Sequence, residues 1–298
     1  MKIAVLGAGG KLGSVLVREY AALGEVTAFS RRALDITSLQ ALEGHLNGFD
    51  VVLNCAAEAN VDRCEQHPAQ ARAVNGTAVA QLANLCTRRG IRLIHFSTDY
   101  VFDGRGNRPY RETDPTAPLG VYGQTKREGE QAVLASAPDH LVVRVSWVFG
   151  PFGVAPGSRG YPGFVDQVLN RALKGEPLEG ICDKWSIPTF ARDIARELWP
   201  FLQEQRIGGV LHLTQSGPPC TWQEYAQAVV ECGLAAGLPL RSREVQPRRM
   251  AEVPAFVGPR PVYTPLATER LKALTGRSPR SWKEALEEYV RHDFQPAP

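Results

Sequence analysis

The chain has 298 residues, 44% of them hydrophobic and 22% charged, with a formal net charge of +3. This composition supports a sizeable buried core and excludes a disordered chain. So small a charge excludes nucleic acid as the main partner, and no apolar run is long enough to make a membrane one.

Residues 1–6 begin like a secretory start, but Gly7, Gly9 and Gly10 interrupt it before a signal-peptide core can form. A cytoplasmic location is therefore expected. Short apolar runs at 3–6, 26–29, 51–55, 92–96 and 141–145 read as strands. Between them, 11–22, 69–89 and 124–136 read as helices. Strands that are apolar throughout are covered on both faces, so the sheet is parallel with helices on each side. That is the α/β class, with a doubly wound, Rossmann-like parallel sheet.

The pattern breaks after Gly150. Residues 151–163 carry Pro151, Pro156 and Pro162 among several glycines and predict an irregular loop. Beyond it, short strands and helices mix, as in a smaller mixed α/β C-terminal substrate domain. Residues 210–213 predict a strand returning to the main sheet. The expected division is a cofactor domain over 1–150, rejoined by 190–215, and a substrate domain over 151–189 and 216–298. Thr221 with Glu224, and Ser281 with Glu284, spell capping boxes at two helix starts. The Pro/Arg-rich stretch 247–265 predicts extended chain. Cys55, Cys64, Cys86, Cys182, Cys220 and Cys232 form no C-x-x-C pair and have no histidine at metal-ligand spacing. They read as free, mostly buried thiols in a reducing compartment.

The first strand runs into Gly7-Ala8-Gly9-Gly10-Lys11-Leu12-Gly13, a G-x-x-G-x-x-G turn before a helix. A tight turn there brings the amides of the helix N-terminus, including Lys11 and Leu12, close to a pyrophosphate. The second strand ends in Ser30-Arg31-Arg32. An NAD site usually offers an acid at this point, whereas guanidiniums suit the extra 2′-phosphate of NADP. NADPH is the expected cofactor, with NADH still admissible and a plain solvated loop the alternative. Asp35, beside Ile36, would face the adenine edge or cap the helix starting near Ser38. Cys55-Ala56-Ala57 are small enough for close cofactor passage or for simple helix–sheet packing.

The chemistry points to two further segments. His95-Phe96-Ser97-Thr98-Asp99-Tyr100 lies at the end of a buried strand, and Tyr122-Gly-Gln-Thr-Lys126 spaces a phenol and an ammonium four apart, one face of a helix. A phenol has an ordinary pKa near ~10. An adjacent ammonium is expected to lower it and make Tyr122 a general acid toward a carbonyl oxygen. Thr98 would bond the same oxygen, and Lys126 would hold the nicotinamide ribose. Tyr-x-x-x-Lys alone is an ordinary surface pair. Its order after the glycine turn and the Ser-Thr strand end makes the conjunction specific.

Residues 97–104 (Ser-Thr-Asp-Tyr-Val-Phe-Asp-Gly), 122–126 and 144–150 (Arg-Val-Ser-Trp-Val-Phe-Gly) resemble the dTDP-4-dehydrorhamnose reductase family of extended short-chain dehydrogenase/reductases. The likeness continues through Val61-Asp62 with Glu65, 74–77, 164–166, Pro188-Thr189, 191–193 and Arg260-Pro261, covering nearly the whole chain. It implies NADPH-dependent reduction of the 4-keto group of a nucleotide-linked 6-deoxysugar, namely dTDP-4-dehydro-L-rhamnose to dTDP-L-rhamnose. It also implies catalytic roles for Thr98, Tyr122 and Lys126, an organising role in the proton relay for Asn75, and substrate contacts from Asp99, Tyr100 and Trp147. Trp147 read alone is equally a core aromatic. A homodimer is compatible with the family. Some relatives bind Mg2+ through a glutamate soon after the glycine turn; here that position is Val15, so no metal is expected.

Departures lie in the expected substrate domain. Many relatives carry Asp-Gln-x-Gly-x-Pro-Thr where this chain has Asp183-Lys184-Trp185-Ser186-Ile187-Pro188-Thr189, and Asn-Ser where it has Tyr263-Thr264. The Phe152–Gly163 loop also looks longer than usual. Two other readings stay open. One is a non-catalytic NADP-binding subunit like the methionine adenosyltransferase β subunit. The other is a sugar-nucleotide epimerase or dehydratase that recycles tightly held NAD.

Overall fold

A computed structural model describes residues 1–151, 162–203 and 207–296. The irregular loop expected over 151–163 falls largely on 152–161, outside the described residues. The first half runs β1 (Lys2–Leu6), α1 (Lys11–Tyr20), β2 (Glu25–Phe29), α2 (Leu39–His45), β3 (Val51–Asn54), α3 (Val61–Gln66) and α4 (Pro68–Arg72). A π-helical turn (Ala73–Thr77) leads into α5 (Ala78–Arg89), followed by β4 (Arg92–Thr98), α6 (Val121–Ser136) and β5 (Leu141–Val145). Then come β6 (Val148–Phe149), α7 (Phe164–Lys174), β7 (Leu178–Ile181), β8 (Trp185–Ser186), β9 (Thr189–Phe190), α8 (Ala191–Gln203) and β10 (Gly209–His212). The chain ends with β11 (Cys220–Thr221), α9 (Trp222–Ala235), β12 (Val245–Arg248), α10 (Glu269–Thr275) and α11 (Trp282–His292).

The main sheet has the order β10-β5-β4-β3-β1-β2, all neighbours parallel. Every residue of β3, β4 and β5 is buried, because helices cover both faces; β2 alternates more because it is an edge. One apolar layer joins Leu16, Tyr20, Ile194 and Leu198 of α1 and α8 to the sheet, and the opposite layer joins Leu42, Leu82 and Cys86 of α2 and α5. Val15, on α1, is fully buried. From β1 the chain goes outward to β2 and then crosses to β3 on the other side. The crevice at that switch point is where such sheets bind ligands.

A third apolar cluster, around Phe149, Leu169, Phe190, Tyr225 and Tyr289, forms the core of the C-terminal lobe. Both capping boxes are made: Thr221 and Ser281 accept from the backbone of Glu224 and Glu284, whose carboxylates return the bond. All six cysteines are free; Cys64, Cys86 and Cys220 are buried and the others half-buried. No helix among the described residues is long and apolar enough to cross a membrane.

The helix expected without interruption over 69–89 is widened at Ala73–Thr77. There α6 passes so closely that a side chain on Gly129 would overlap the Asn75 carbonyl. A π-helical turn shifts the register by one residue and often marks a functional site.

Candidate active site

A cleft of about 560 Å³ opens beyond the ends of β1, β2 and β3. It gathers ten of the residues expected for the cofactor: Gly7, Gly9, Gly10, Ser30, Arg31, Asp35, Ile36, Cys55, Ala56 and Ala57. Gly7 turns at φ +73°, and a Cβ there would lie 2.7 Å from the Ala56 nitrogen. Glycine thus lets the first turn touch the chain leaving β3. Over Gly9 the nearest atom to an added Cβ is Ser30 Cβ, at 3.9 Å. No side chain caps α1, so the donors of its first turn face the cleft beside open space. Arg31 and Arg32 are exposed at the rim. These residues fit a dinucleotide with an added phosphate on its adenosine side.

Gly13 packs where any Cβ would overlap the Gly7 carbonyl oxygen. The backbone there cannot move without reopening the turn. Gly13→Ala is therefore expected to destabilise the fold by about 3 kcal/mol, checked by chemical denaturation; an unchanged midpoint would contradict this packing.

The side chains of Lys11 and Leu12 do not line the cleft. The Lys11 side chain leaves the cleft, reaches to 3.5 Å from the Val148 carbonyl and comes close to Asp166 of α7. Burial pulls its pKa down and Asp166 opposes the shift. The Leu12 side chain packs into the sheet core. The turn of α1 carries both side chains away, so only their amides face the cofactor side. Asp35 accepts bonds from Thr37 N at 3.0 Å and Thr37 Oγ1 at 2.8 Å, which hold its carboxyl below the ordinary range. It lines the cleft without capping α2; Ser38 makes that cap. Arg32, Leu34, Glu58, Gln70 and Val74 also line the cleft. Gln70 arrives on α4 and Val74 on the π-helical turn, and no local pattern marks Gln70 as a cleft residue.

Past Cys55 the structure brings Thr98, Tyr122 and Lys126 together. Thr98 ends β4. Its hydroxyl bonds Tyr122, accepts from Tyr100 N at 3.2 Å, and donates to Asp99 Oδ1 at 3.2 Å. Helix α6 begins at Val121, three residues earlier than expected, so Tyr122 sits in its first turn. Gly120 offers no side-chain cap. Instead Glu65 of α3 accepts from Val121 N at 3.0 Å, a cap that proximity along the chain cannot reveal.

Lys126 is wholly buried. Its ammonium donates to the Phe96 carbonyl at 2.7 Å and lies 3.4 Å from His95 Nε2, while His95 Nδ1 meets Asn54 at 3.1 Å. Burial brings Lys126 down to about 8, with Glu130 opposing. The expectation that this ammonium lowers the Tyr122 pKa is corrected. Burial pushes the phenol up, the Thr98 bond opposes that shift, and Lys126 directs its proton to Phe96 instead. Tyr122 is thus a protonated donor in this cofactor-free arrangement.

Asn75 accepts from Glu58 N at 2.9 Å and donates to the Glu58 carbonyl at 3.0 Å and Thr125 Oγ1 at 3.2 Å. Its amide clamps the cleft wall onto α6, next to the Tyr122–Lys126 pair.

The three expected sugar contacts separate. Tyr100 packs edge-on against Tyr122 with ring centroids 5.5 Å apart. Trp147 holds φ 42°, a strained value for a bulky side chain. Its ring lies 5.5 Å from Trp222 and 6.4 Å from Tyr225, so it joins the second lobe's core while remaining half-buried. Its Nε1 is buried with no partner among the described residues. Asp99 is 2% exposed, and its oxygens are taken by Thr98, Ser186 and Thr264. It is thereby withdrawn from direct substrate contact.

The family model described as RmlD substrate binding domain matches residues 1–294. A dTDP-4-dehydrorhamnose reductase of Mycobacterium tuberculosis is 38% identical, over 96% of this chain and 91% of the relative. A dTDP-4-keto-6-deoxy-D-glucose reductase of Streptomyces niveus is 34% identical, over 95% and 94%. The crystal structure of a dTDP-4-dehydrorhamnose reductase from Bacillus anthracis in complex with NADP superposes with a TM-score of 0.87 at 26% identity, covering 97% of this chain and 98% of that one.

Proposed function

The chain belongs to the family described as RmlD substrate binding domain, and from that premise we propose that it is an NADPH-dependent reductase of a dTDP-linked 4-keto-6-deoxysugar, acting in the cytoplasm. The sugar we assign is dTDP-4-dehydro-L-rhamnose, giving dTDP-L-rhamnose. One observation carries the reading: Thr98, Tyr122 and Lys126 converge just past the inner end of a glycine-lined cleft whose outer rim bears Arg31 and Arg32.

Bound NADPH supplies the hydride. The cleft would hold its adenosine side, the α1 amides serving the pyrophosphate and Arg31 the 2′-phosphate. The Tyr122 phenol gives its proton to the ketone oxygen as negative charge builds there. Thr98, whose proton goes to Asp99, keeps the phenol aimed. Lys126 holds the nicotinamide ribose from a position fixed by the Phe96 carbonyl. Asn75, locked to Glu58 and Thr125, keeps the wall and α6 in register.

The purified protein is expected to oxidise NADPH with dTDP-4-keto-6-deoxysugars and to prefer them over UDP or GDP counterparts. Measuring absorbance at the reduced nicotinamide band with each sugar checks this. Protein that co-purifies with NAD and shows no net oxidation would instead be an epimerase. Protein inert toward every keto sugar would be a binding subunit.

A further inference from the structure

The two segments that depart from the family pattern, 183–189 and 263–264, meet around one buried carboxylate. Ser186 Oγ donates to Asp99 Oδ2 at 3.3 Å, and the Thr264 hydroxyl donates to the same oxygen. Lys184 is fully buried beside them. Its ammonium donates to the Pro261 carbonyl at 2.7 Å, lies 4.7 Å from the Tyr100 ring centre and 5.9 Å from that of Trp147, and acts electrostatically on Asp99. Asp99 itself belongs to the first lobe, where it accepts the Thr98 proton. Lys184, Ser186 and Thr264 all come from the second half of the chain.

We propose that Asp99, Lys184, Ser186 and Thr264 form a node between the lobes that positions Thr98, with Lys184 supplying its positive charge. This rests on the reductase reading, in which Thr98 aims the Tyr122 phenol at the ketone oxygen. A hydroxyl has one proton. While the charged Asp99 accepts it, the Thr98 lone pairs stay turned to Tyr100 N and to Tyr122, and the side chain is held in one rotamer. A protonated Asp99 would compete as a donor and release that orientation. The node also makes the reaction geometry depend on the second lobe being docked, because three of the four groups arrive with it. Asp99 is a positioning residue, acting through Thr98.

The groups facing Asp99 can be named. Thr98 lies on the strand side, Ser186 and Lys184 on the β8 side, and Thr264 on the returning loop. Tyr100 and Tyr122 feel its charge, and Arg260 acts on Lys184. Burial raises Asp99 above the ordinary carboxylate range, and Lys184 opposes that rise; burial also brings Lys184 down to about 8, with Asp99 opposing. The carboxylate is therefore lost as pH falls, and earlier when Lys184 is absent.

Two measurements test this on the full chain. In 13C NMR of labelled protein, Lys184→Gln is expected to raise the Asp99 carboxyl titration by about one pH unit or more; identical titration with and without Lys184 overturns the node. In kinetics, Lys184→Gln should move the acidic limb of kcat to higher pH. Asp99→Asn should lower kcat about tenfold with KM for NADPH unchanged. Added to Thr98→Val, Asp99→Asn should cost nothing further; the same tenfold loss in both backgrounds overturns action through Thr98. Ser186→Ala and Thr264→Val, which keep the charge but remove hydrogen bonds to the carboxylate, should give smaller losses and move the acidic limb less than Lys184→Gln does; an acidic limb that moved as far as with Lys184→Gln would overturn the assignment of the charge to Lys184. A wild-type protein that reduces no keto sugar defeats the reductase reading, and the NMR titration still decides the charge coupling.

Discussion

Tyr122→Phe is expected to lower kcat by about 10²–10⁴-fold while leaving NADPH affinity within about twofold, the signature of a lost proton donor. The hydroxyl is the only atom group removed, and the ring still packs on Tyr100. Tyr122 is half-buried, and its phenol is bonded to Thr98. Because burial holds the phenol above its ordinary value, it remains protonated across the neutral range in the cofactor-free protein. Steady-state kinetics with cofactor titration checks both halves. Full activity in the variant would remove Tyr122 from the reaction.

The second large effect belongs to the rim of the cleft. Arg31→Ala is expected to weaken NADPH about tenfold or more and NADH by less than about twofold, as expected for loss of a charge-assisted bond to a phosphate. Arg31 follows β2 directly and lines the same cleft as Gly7 and Ala56, whereas no acidic side chain occupies its position to favour the unphosphorylated ribose. Its exposure makes the effect dependent on salt, so the comparison belongs at low ionic strength. Equilibrium titration with each nucleotide checks it. Equal losses for both would leave the 2′-phosphate without its partner and shift the argument to Arg32.

Much of the first half was legible residue by residue. The runs 3–6, 51–53 and 141–143 are apolar throughout because β1, β3 and β5 are covered on both faces there, and that marks a parallel sheet. The glycines of the first turn were legible too, since only residues without a Cβ tolerate the approach of Gly7 to Ala56 and of Gly13 to Gly7. The spacing of Tyr122 and Lys126 placed both on one helix face. Glu65, Lys184, Ser186 and Thr264 stand differently. Glu65 was part of a recognisable motif, and the other three were visible as departures, yet their neighbours along the chain say nothing about Val121 or Asp99.

Local chemistry, read along the chain, settled which segments are strands, where the dinucleotide turn lies and which side chains can carry a proton. These are properties of periodicity, backbone freedom and functional groups, and each is written within a few residues. Folding in three dimensions settled the state of those groups. Lys126 turns to a carbonyl instead of to the phenol, Asp99 is withdrawn behind three hydroxyls, and α6 takes its cap from another helix. Burial and bonding partners set protonation and direction, and both depend on contacts between residues as far apart as Asp99 and Thr264.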